Sequence, residues 1–382
     1  MRIILLGNYP PDGQESMERF ARMLDNGFRN AGVTTEIWRP IPVLAIKGGP
    51  MNKGYRKWLG YIDKWVIFPL ILRWRLRQLA LAESDVRFHI CDHSNAPYLL
   101  HLDRRRSSIT CHDVLAIRGG LGYADAHVSA SRFGKVLQKW ILHHLSRVER
   151  LAAVSRFTLR QLMDLGAPSS VDQSVRWHVI HNAFNDDFRP MDVSECTTIL
   201  HQAGFVSSAP FILHVGSSLP RKNRSLLIEM VHTLGNRWAG NICFAGEGPN
   251  EEMLARIEAL DLRERIKFII KPDHNTLVAL YSKCEAFIFP SYSEGFGWPV
   301  IEAQACGAPV IASNIEPMPE VSGGAALHAD PSNPEAFGNA LLALQDLSTR
   351  TLLVQQGFAN SRRFEPAHMI QAYLNLCELT PY

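Results

Sequence analysis

Short apolar runs alternate with longer helix-like segments along most of the chain, and no other feature restricts the fold as much. Ile3–Gly7, Thr35–Trp38, Phe88–Cys91, Ser107–Cys111, Arg150–Val154 and Trp177–His181 read as strands, with helix-like segments such as Ser16–Asn30 and Lys135–Val148 between them. Strands that are apolar throughout are covered on both faces, and strands joined through helices run parallel. The pattern restarts after Asp186 with Phe211–Val215, Asn241–Ala245, Ile266–Ile270, Ala286–Phe289 and Pro309–Ala312. The expected fold class is therefore α/β, with two successive doubly wound parallel sheets.

A chain of 382 residues that is 46% hydrophobic has apolar material for two cores, and single cores stop growing below this length. Asn182–Pro190, rich in Asn and Asp and closed by a proline, reads as the linker, giving domains at 1–188 and 189–365. Met369, Ala372, Tyr373 and Leu376 share helical spacing, so 366–382 is expected to form a helix packing back on the first domain. Ligands of such sheets bind beyond the carboxyl ends of the strands, which for two domains implies a cleft between them.

The apolar run after Met1 is too short for an export signal. Trp65–Trp74 contains Pro69 and Arg73 and falls short of the roughly 20 residues a spanning helix needs. Seven scattered cysteines, none in a CxxC pair, fit a reducing cytosol.

The net charge of +3 conceals an asymmetry: residues 1–190 carry 27 Lys+Arg against 17 Asp+Glu, while 191–382 carry 13 against 20. The first half is expected to meet an anionic partner. Within it, Arg39–Ala82 holds nine basic residues and one acid, interleaved with Trp58, Trp65 and Trp74. That mixture suits either peripheral contact with an anionic membrane or an ordinary pair of surface helices. No motif supports a nucleic-acid partner.

The chemistry concentrates in PSYSEGFGWPVIEAQACGAPVIAS, residues 290–313. It follows a strand, turns through Glu294, Gly295, Phe296 and Gly297, enters a helix near Pro299 and leaves it at Gly307. Glycines let a ligand approach the backbone, and amides opening a helix carry partial positive charge that suits phosphate or sugar oxygens. Glu302 lies about one turn into the helix with its side chain leaning back toward the start, so both carboxylates are placed to reach one ligand.

This block resembles the family-four retaining glycosyltransferases (glycosyl transferases group 1), whose hallmark is two glutamates separated by seven residues; Glu294 and Glu302 match, with Gly295, Phe296, Gly297, Pro299, Ala303, Gly307, Pro309 and Val310. Val154-Ser155 with Thr158, Val179–Ala183, Gly216 with Arg221-Lys222-Asn223, and Gly246–Pro249 resemble other parts of the family pattern. The resemblance runs through most of residues 1–380, most strongly over 211–313.

It implies a GT-B fold, two Rossmann-like domains facing across a cleft, with a nucleotide-diphosphate sugar held mainly by the second domain and the acceptor by the first. By position, Glu302 is expected to hold the ribose hydroxyls. Glu294, with the amides of Phe296 and Gly297, is expected to hold the transferred sugar. Lys222 and Arg221 are placed on the departing diphosphate, where charge accumulates as the glycosidic bond breaks. Gly216 would let the diphosphate approach, but Ser217 stands where the family often has an arginine. Tyr9–Gly13 resembles the family's first loop, with Gly13 at one phosphate-approach position and Gln14 replacing a second glycine. His112, after the strand ending at Cys111, matches the family's histidine facing the donor sugar. His93 and Ser94 fit an acceptor side and equally a polar strand-end loop, so they stay outside the predicted site.

The predicted catalytic residues are Glu294, His112 and Lys222. Asp186 and Asp187 adjoin without a D-x-D arrangement, so metal-independent chemistry and no cofactor are expected. A double displacement would make Glu294 the nucleophile; the family's favoured picture is instead departure and attack on one face, the leaving phosphate taking the acceptor's proton. The PRKN-type segment leans toward a mannose-like donor, as a GDP- or UDP-sugar. A lipid-linked or cell-surface glycan acceptor would place the protein at the inner face of a bacterial cytoplasmic membrane. Two other classes fit less well: an NAD-dependent oxidoreductase lacks the GxGxxG fingerprint after the first strand, and a non-catalytic sugar-nucleotide binder would have less use for both glutamates and Lys222.

Overall fold

The computed structural model describes residues 1–44, 55–82, 85–127, 130–166, 176–207 and 209–379. Part of the basic stretch, 45–54, and the last three residues of the predicted closing helix lie outside the described residues. The chain divides into two compact units, residues 1–124, 128–185 and 366–382 in one, 125–127 and 186–365 in the other.

In the first unit, strands β1 (Arg2–Leu6), β2 (Thr34–Trp38), β3 (Val86–Ile90), β4 (Ser107–Cys111), β5 (Arg150–Ala153) and β6 (Arg176–Val179) form one sheet in the order β2-β1-β3-β4-β5-β6, every neighbouring pair parallel. Helices α1 (Glu15–Asn30), α2 (Tyr55–Ile62), α3 (Phe68–Ala82), α4 (Leu115–Leu121), α5 (Arg132–Leu145) and α6 (Arg156–Asp164) connect them. Strand residues Ile4, Leu6, Phe88, Ile90 and Ile109 share a core with Phe68 and Leu72 of α3 and Ile141 and Leu145 of α5.

Between α2 and α3 the chain does not break. A π-helical turn, Asp63–Ile67, joins them into one continuous helix, where one of the two readings of the basic stretch had a pair of surface helices. Pro69, just beyond it, has no N–H to offer the preceding turn, and the Lys64 carbonyl there accepts the Tyr98 hydroxyl at 3.0 Å. Asp63 is fully buried, accepting the Tyr9 hydroxyl at 2.7 Å and the Leu44 amide at 3.0 Å.

The second unit holds β7 (Phe211–Gly216), β8 (Asn241–Gly246), β9 (Ile266–Ile270), β10 (Ala286–Phe289), β11 (Val310–Ser313) and β12 (Leu327–Ala329), ordered β12-β11-β10-β7-β8-β9 and again parallel. Around it lie α7 (Val193–Gln202), α8 (Ser225–Leu234), α9 (Glu251–Ala259), α10 (His274–Lys283), α11 (Trp298–Ala305), α12 (Met318–Ser322), α13 (Pro334–Ala343) and α14 (Leu347–Ser361). Ile212, Phe244, Ile288 and Ile311 of the sheet pack with Leu226, Met230, Phe337 and Leu341. Both orders reverse direction once, between β1 and β3 and between β7 and β10. At such a reversal successive connections leave on opposite faces and open a crevice at the carboxyl ends.

The closing helix α15 (Pro366–Leu376) belongs to the first unit. It is held by a buried polar layer: Thr110 and Tyr373 hydroxyls 2.8 Å apart, and His89 bridging Ser108 and Thr110 at 2.8 and 2.9 Å. Just past it, Glu378 meets Arg87, Arg150 and Arg176 at 3.3, 2.7 and 2.8 Å.

Candidate active site

The second unit's site is built where β7 and β10 lie side by side, paired Ala286 to Ile212 and Phe287 to Leu213. After Gly216, a short loop and a 3-10 turn, Pro220–Lys222, deliver Arg221 and Lys222. Asn223 closes the turn at φ 54°, a conformation asparagine tolerates better than most residues. Its side-chain amide donates to the carbonyls of Pro290 (3.1 Å) and Pro331 (2.7 Å), and the Tyr292 amide donates to the Arg221 carbonyl at 2.8 Å. The two loops are thus pinned together by hydrogen bonds to main-chain carbonyls.

Glu294 lies between the cations. Lys222 Nζ donates to Oε1 at 2.6 Å, and Arg221 Nη1 to Oε2 at 2.8 Å and to the Ser293 carbonyl at 2.9 Å. Burial alone pushes the Glu294 carboxyl up, but the charges of Lys222 and Arg221 outweigh it and hold the group below its ordinary range, ionised. Burial pulls the Lys222 ammonium down, opposed by Glu294. The Lys222 ammonium also sits 5.0 Å from the Phe289 ring centroid.

Helices α9, α10, α13 and α14 start on Asn250, Asp273, Asn333 and Asp346, each side chain accepting from an amide of the first turn. Helix α11 starts on Gly297 at φ 104°, with no capping side chain and proline in the first turn. Gly297 is required twice over, by that φ and because a Cβ would stand 2.6 Å from Met318 Cε. Phe296 is buried against Trp298 and Phe364 edges. Gly295 lies in the same turn, beside Glu294. Glu302, buried in α11, accepts the Tyr281 hydroxyl at 2.9 Å.

Three residues of this unit escaped the sequence reading. Ser218 turns its amide and hydroxyl to Glu247 Oε2, at 2.9 and 2.7 Å. Arg224, buried over Phe244 at 4.8 Å, donates to the carbonyls of Glu247 and Gly248 at 3.1 Å each. His214, two residues before Gly216, donates from Nδ1 to the Ile288 carbonyl at 3.1 Å, and burial pushes its ring down to about 3. The period-2 alternation places His214 on the face of Gly216 and was a usable signal. Arg224 carried none, because a cation following Lys-Asn reads as solvated.

In the first unit, polar residues gather at the ends of β1, β3 and β4. Gly13, at φ 65°, closes the turn after β1, and no atom lies within 4 Å of where its Cβ would be. Asn8 reaches Gln14 and, at 2.5 Å, Asp92 Oδ2. Asp92 also accepts from the Ser94 amide and hydroxyl and lies 3.1 Å from His93 Nδ1. Burial would raise the Asp92 carboxyl, yet the facing His93 holds it far below its ordinary value, and the His93 ring is raised in return. His112 Nε2 donates to the Cys91 carbonyl at 2.9 Å, with Phe20 edge-on at 4.5 Å. Burial lowers its pKa, so near neutral pH the ring is uncharged and Nδ1 is left as an acceptor. His93, kept outside the predicted site, thus stands in the same cluster as His112.

Asp186 and Asp187 are exposed, and the described residues include no group of three His, Cys, Asp or Glu arranged to hold a metal.

Residues 197–356 match the family model described as Glycosyl transferases group 1, the group the motifs resemble. Among curated relatives, O-antigen chain mannosyltransferase B of Escherichia coli is 32% identical over 187 residues, 48% of this chain and 49% of that one. O-antigen chain mannosyltransferase RfbU of Salmonella typhimurium is 31% identical over 244 residues, 64% of this chain and 62% of that one. The chain thus spans about half to three-fifths of the length of these relatives. Among solved structures, sucrose-phosphate synthase of Thermosynechococcus elongatus superposes with a TM-score of 0.72 at 19% identity, covering all of both chains. Anabaena HepE in complex with UDP-glucose does so at 0.72 and 15%, again over all of both. The α/β fold of two doubly wound parallel sheets, of GT-B type, is the fold these structures share with the chain.

Proposed function

From a chain whose second unit carries the glycosyl transferases group 1 match, we propose a retaining glycosyltransferase. It moves a hexose, mannose-like by the names of its curated relatives, from a nucleotide-diphosphate sugar to a glycan or lipid-linked glycan in polysaccharide or glycoconjugate assembly. The observation that carries this reading is the Arg221–Glu294–Lys222 constellation at the carboxyl ends of β7 and β10. An ionised, acceptor-only carboxylate suits sugar hydroxyls, which donate. Two adjoining cations suit a diphosphate, which only accepts.

The roles follow from what each group can do. Lys222 and Arg221 offset the charge that builds on the diphosphate as the glycosidic bond breaks, in a buried setting where such charge stabilisation counts most. Gly216 keeps the approach to them free of a side chain. The amides of Gly295, Phe296 and Gly297 and the uncapped start of α11 add partial positive charge beside Glu294, which orients the sugar. Glu302, steadied by Tyr281, takes the ribose hydroxyls. In the first unit, Gly13 lets phosphate near the start of α1, and His112, neutral with Nδ1 accepting, meets a sugar hydroxyl or the charge developing on the ring. The leaving phosphate takes the acceptor's proton as attack proceeds on the face of departure. Paired cations supply the electrostatics, so the chemistry is proposed to need neither metal nor cofactor.

HepE was solved with UDP-glucose, which supports a nucleotide-sugar donor here and leaves GDP- and UDP-sugars both to be assayed. A thermal-shift panel of nucleoside diphosphates and nucleotide-sugars tests the reading: stabilisation by one nucleotide class is the expected result, and no response to any of them counts against it. Work on a lipid-linked acceptor would place the protein at the inner face of the cytoplasmic membrane.

A further inference from the structure

The continuous helix 55–82 buries Phe68 and Leu72 against the sheet and still carries a second apolar face. Trp58, Ile62, Val66, Leu70 and Trp74 are exposed by 53, 39, 54, 60 and 60%. They recur every four residues. In a regular α-helix each such step advances about 40° past a full turn, so the row would wind from the solvent side toward the core. The π-helical turn Asp63–Ile67 closes its bonds one residue further on, advances less per residue, and takes back part of that drift. The insertion therefore keeps one apolar row facing outward along about 24 Å of axis.

Helix α5 extends the surface: Phe133 lies 4.8 Å from Trp58, and Phe133 and Val136 are exposed by 41 and 65%. Cations border it, with Lys57 beside Trp58, Arg73 and Arg77 beside Trp74, and Arg132, Lys135 and Lys139 on α5, all exposed. Residues 55–82 and 132–145 contain one acid, Asp63, and it is fully buried.

We propose that this face docks on the surface of a lipid bilayer containing anionic lipids, with the apolar row seated at the boundary between headgroups and acyl chains, the tryptophans at either end and the cations on lipid phosphates. The proposal rests on the membrane placement above and not on the reaction. A second copy of the chain is a poorer occupant, because a two-fold contact sets like against like and would face cations with cations. No helix among the described residues is long and apolar enough to cross a membrane, and a face bordered by charge on one side of a helix lies on a bilayer instead of spanning it.

Flotation with phosphatidylcholine vesicles, with and without phosphatidylglycerol, tests this on the full chain. Binding is expected to the phosphatidylglycerol vesicles, to weaken with salt, and to fall more than about tenfold in Val66→Glu and in Leu70→Glu. Leu347→Glu, still more exposed but in the second unit, should bind like wild type. Both helix variants should retain wild-type hydrolysis of a water-soluble donor, which separates this surface from the transfer reaction. Absence of wild-type binding at low salt overturns the proposal. So does wild-type binding by both helix variants, or light scattering that shows a dimer they dissociate without any vesicle binding. Vesicle binding without donor turnover sinks the transfer reading alone.

Discussion

Glu294 is held by two cations within hydrogen-bonding distance, so removing any member of that trio leaves the others unbalanced. Replacing Glu294 by alanine leaves Lys222 and Arg221 facing each other and a sugar without its acceptor. Turnover is expected to fall by about 10²–10³, the loss typical of one preorganised electrostatic contact, while the circular-dichroism spectrum is unchanged. Lys222→Ala should lose as much, chiefly in kcat, since the further charge that develops on the diphosphate appears only as the bond breaks; wild-type kcat in that variant would remove Lys222 from the leaving-group role. Glu294, Lys222 and Arg221 were all legible in the sequence because they belong to a local pattern. The pairing itself was not, since it depends on the register of β7 against β10, some 70 residues apart in the chain. His93 shows the same limit: nothing local marks it off from a loop residue, and only its contact with the buried Asp92 favours its protonated form.

Among elements, the buried polar layers make the most specific demands. His89 and His214 are fully buried, and burial pushes each ring down to about 3 from 6.5. An unfolded chain takes up a proton at each near pH 6.5, whereas the folded chain does so only near 3. Their contribution to stability is therefore fully present above about pH 6.5 and declines as pH falls toward 3, at about 1.4 kcal/mol per pH unit for each ring. Urea unfolding between pH 7 and 5 should show that decline, and His214→Phe should remove one ring's share of the slope and leave that of His89; equal slopes in wild type and variant would contradict it. Helix α15 rests on the His89 layer itself, and Tyr373→Phe, which removes one of the two partners of the buried Thr110 hydroxyl, should lower stability by about 1 kcal/mol.

The strands were largely readable from their apolar runs: Ile266–Ile270 and Ala286–Phe289 match residue for residue. β12 was missed because its three residues at a sheet edge carry neither a run nor an alternation. The join of α2 to α3 was unreadable for another reason: Pro69 signals a break, and only the π turn and the Tyr98 hydroxyl accommodate it.

At the scale of the molecule, alternation gave the class of fold and charge gave a second, independent clue. The surplus of cations in the first half has a place in the structure, on helices that also expose apolar side chains, while in the second half Arg221 and Lys222 face Glu294 and Arg224 holds the loop after β8. Salt is accordingly expected to weaken vesicle binding strongly and donor binding less, because Arg221 and Lys222 are mostly buried and screened less than surface charges; equal salt sensitivities would argue against that division. The central claim is transfer with retention from a nucleotide sugar through the Arg221–Glu294–Lys222 site. It is tested most directly by following nucleoside diphosphate release from GDP-mannose and UDP-glucose with an acceptor glycan present, and reading the new anomeric linkage by NMR. The account predicts release from one donor, a product with the donor's anomeric configuration, and loss of both in Lys222→Ala. An inverted product, or equal release by wild type and Lys222→Ala, would contradict it.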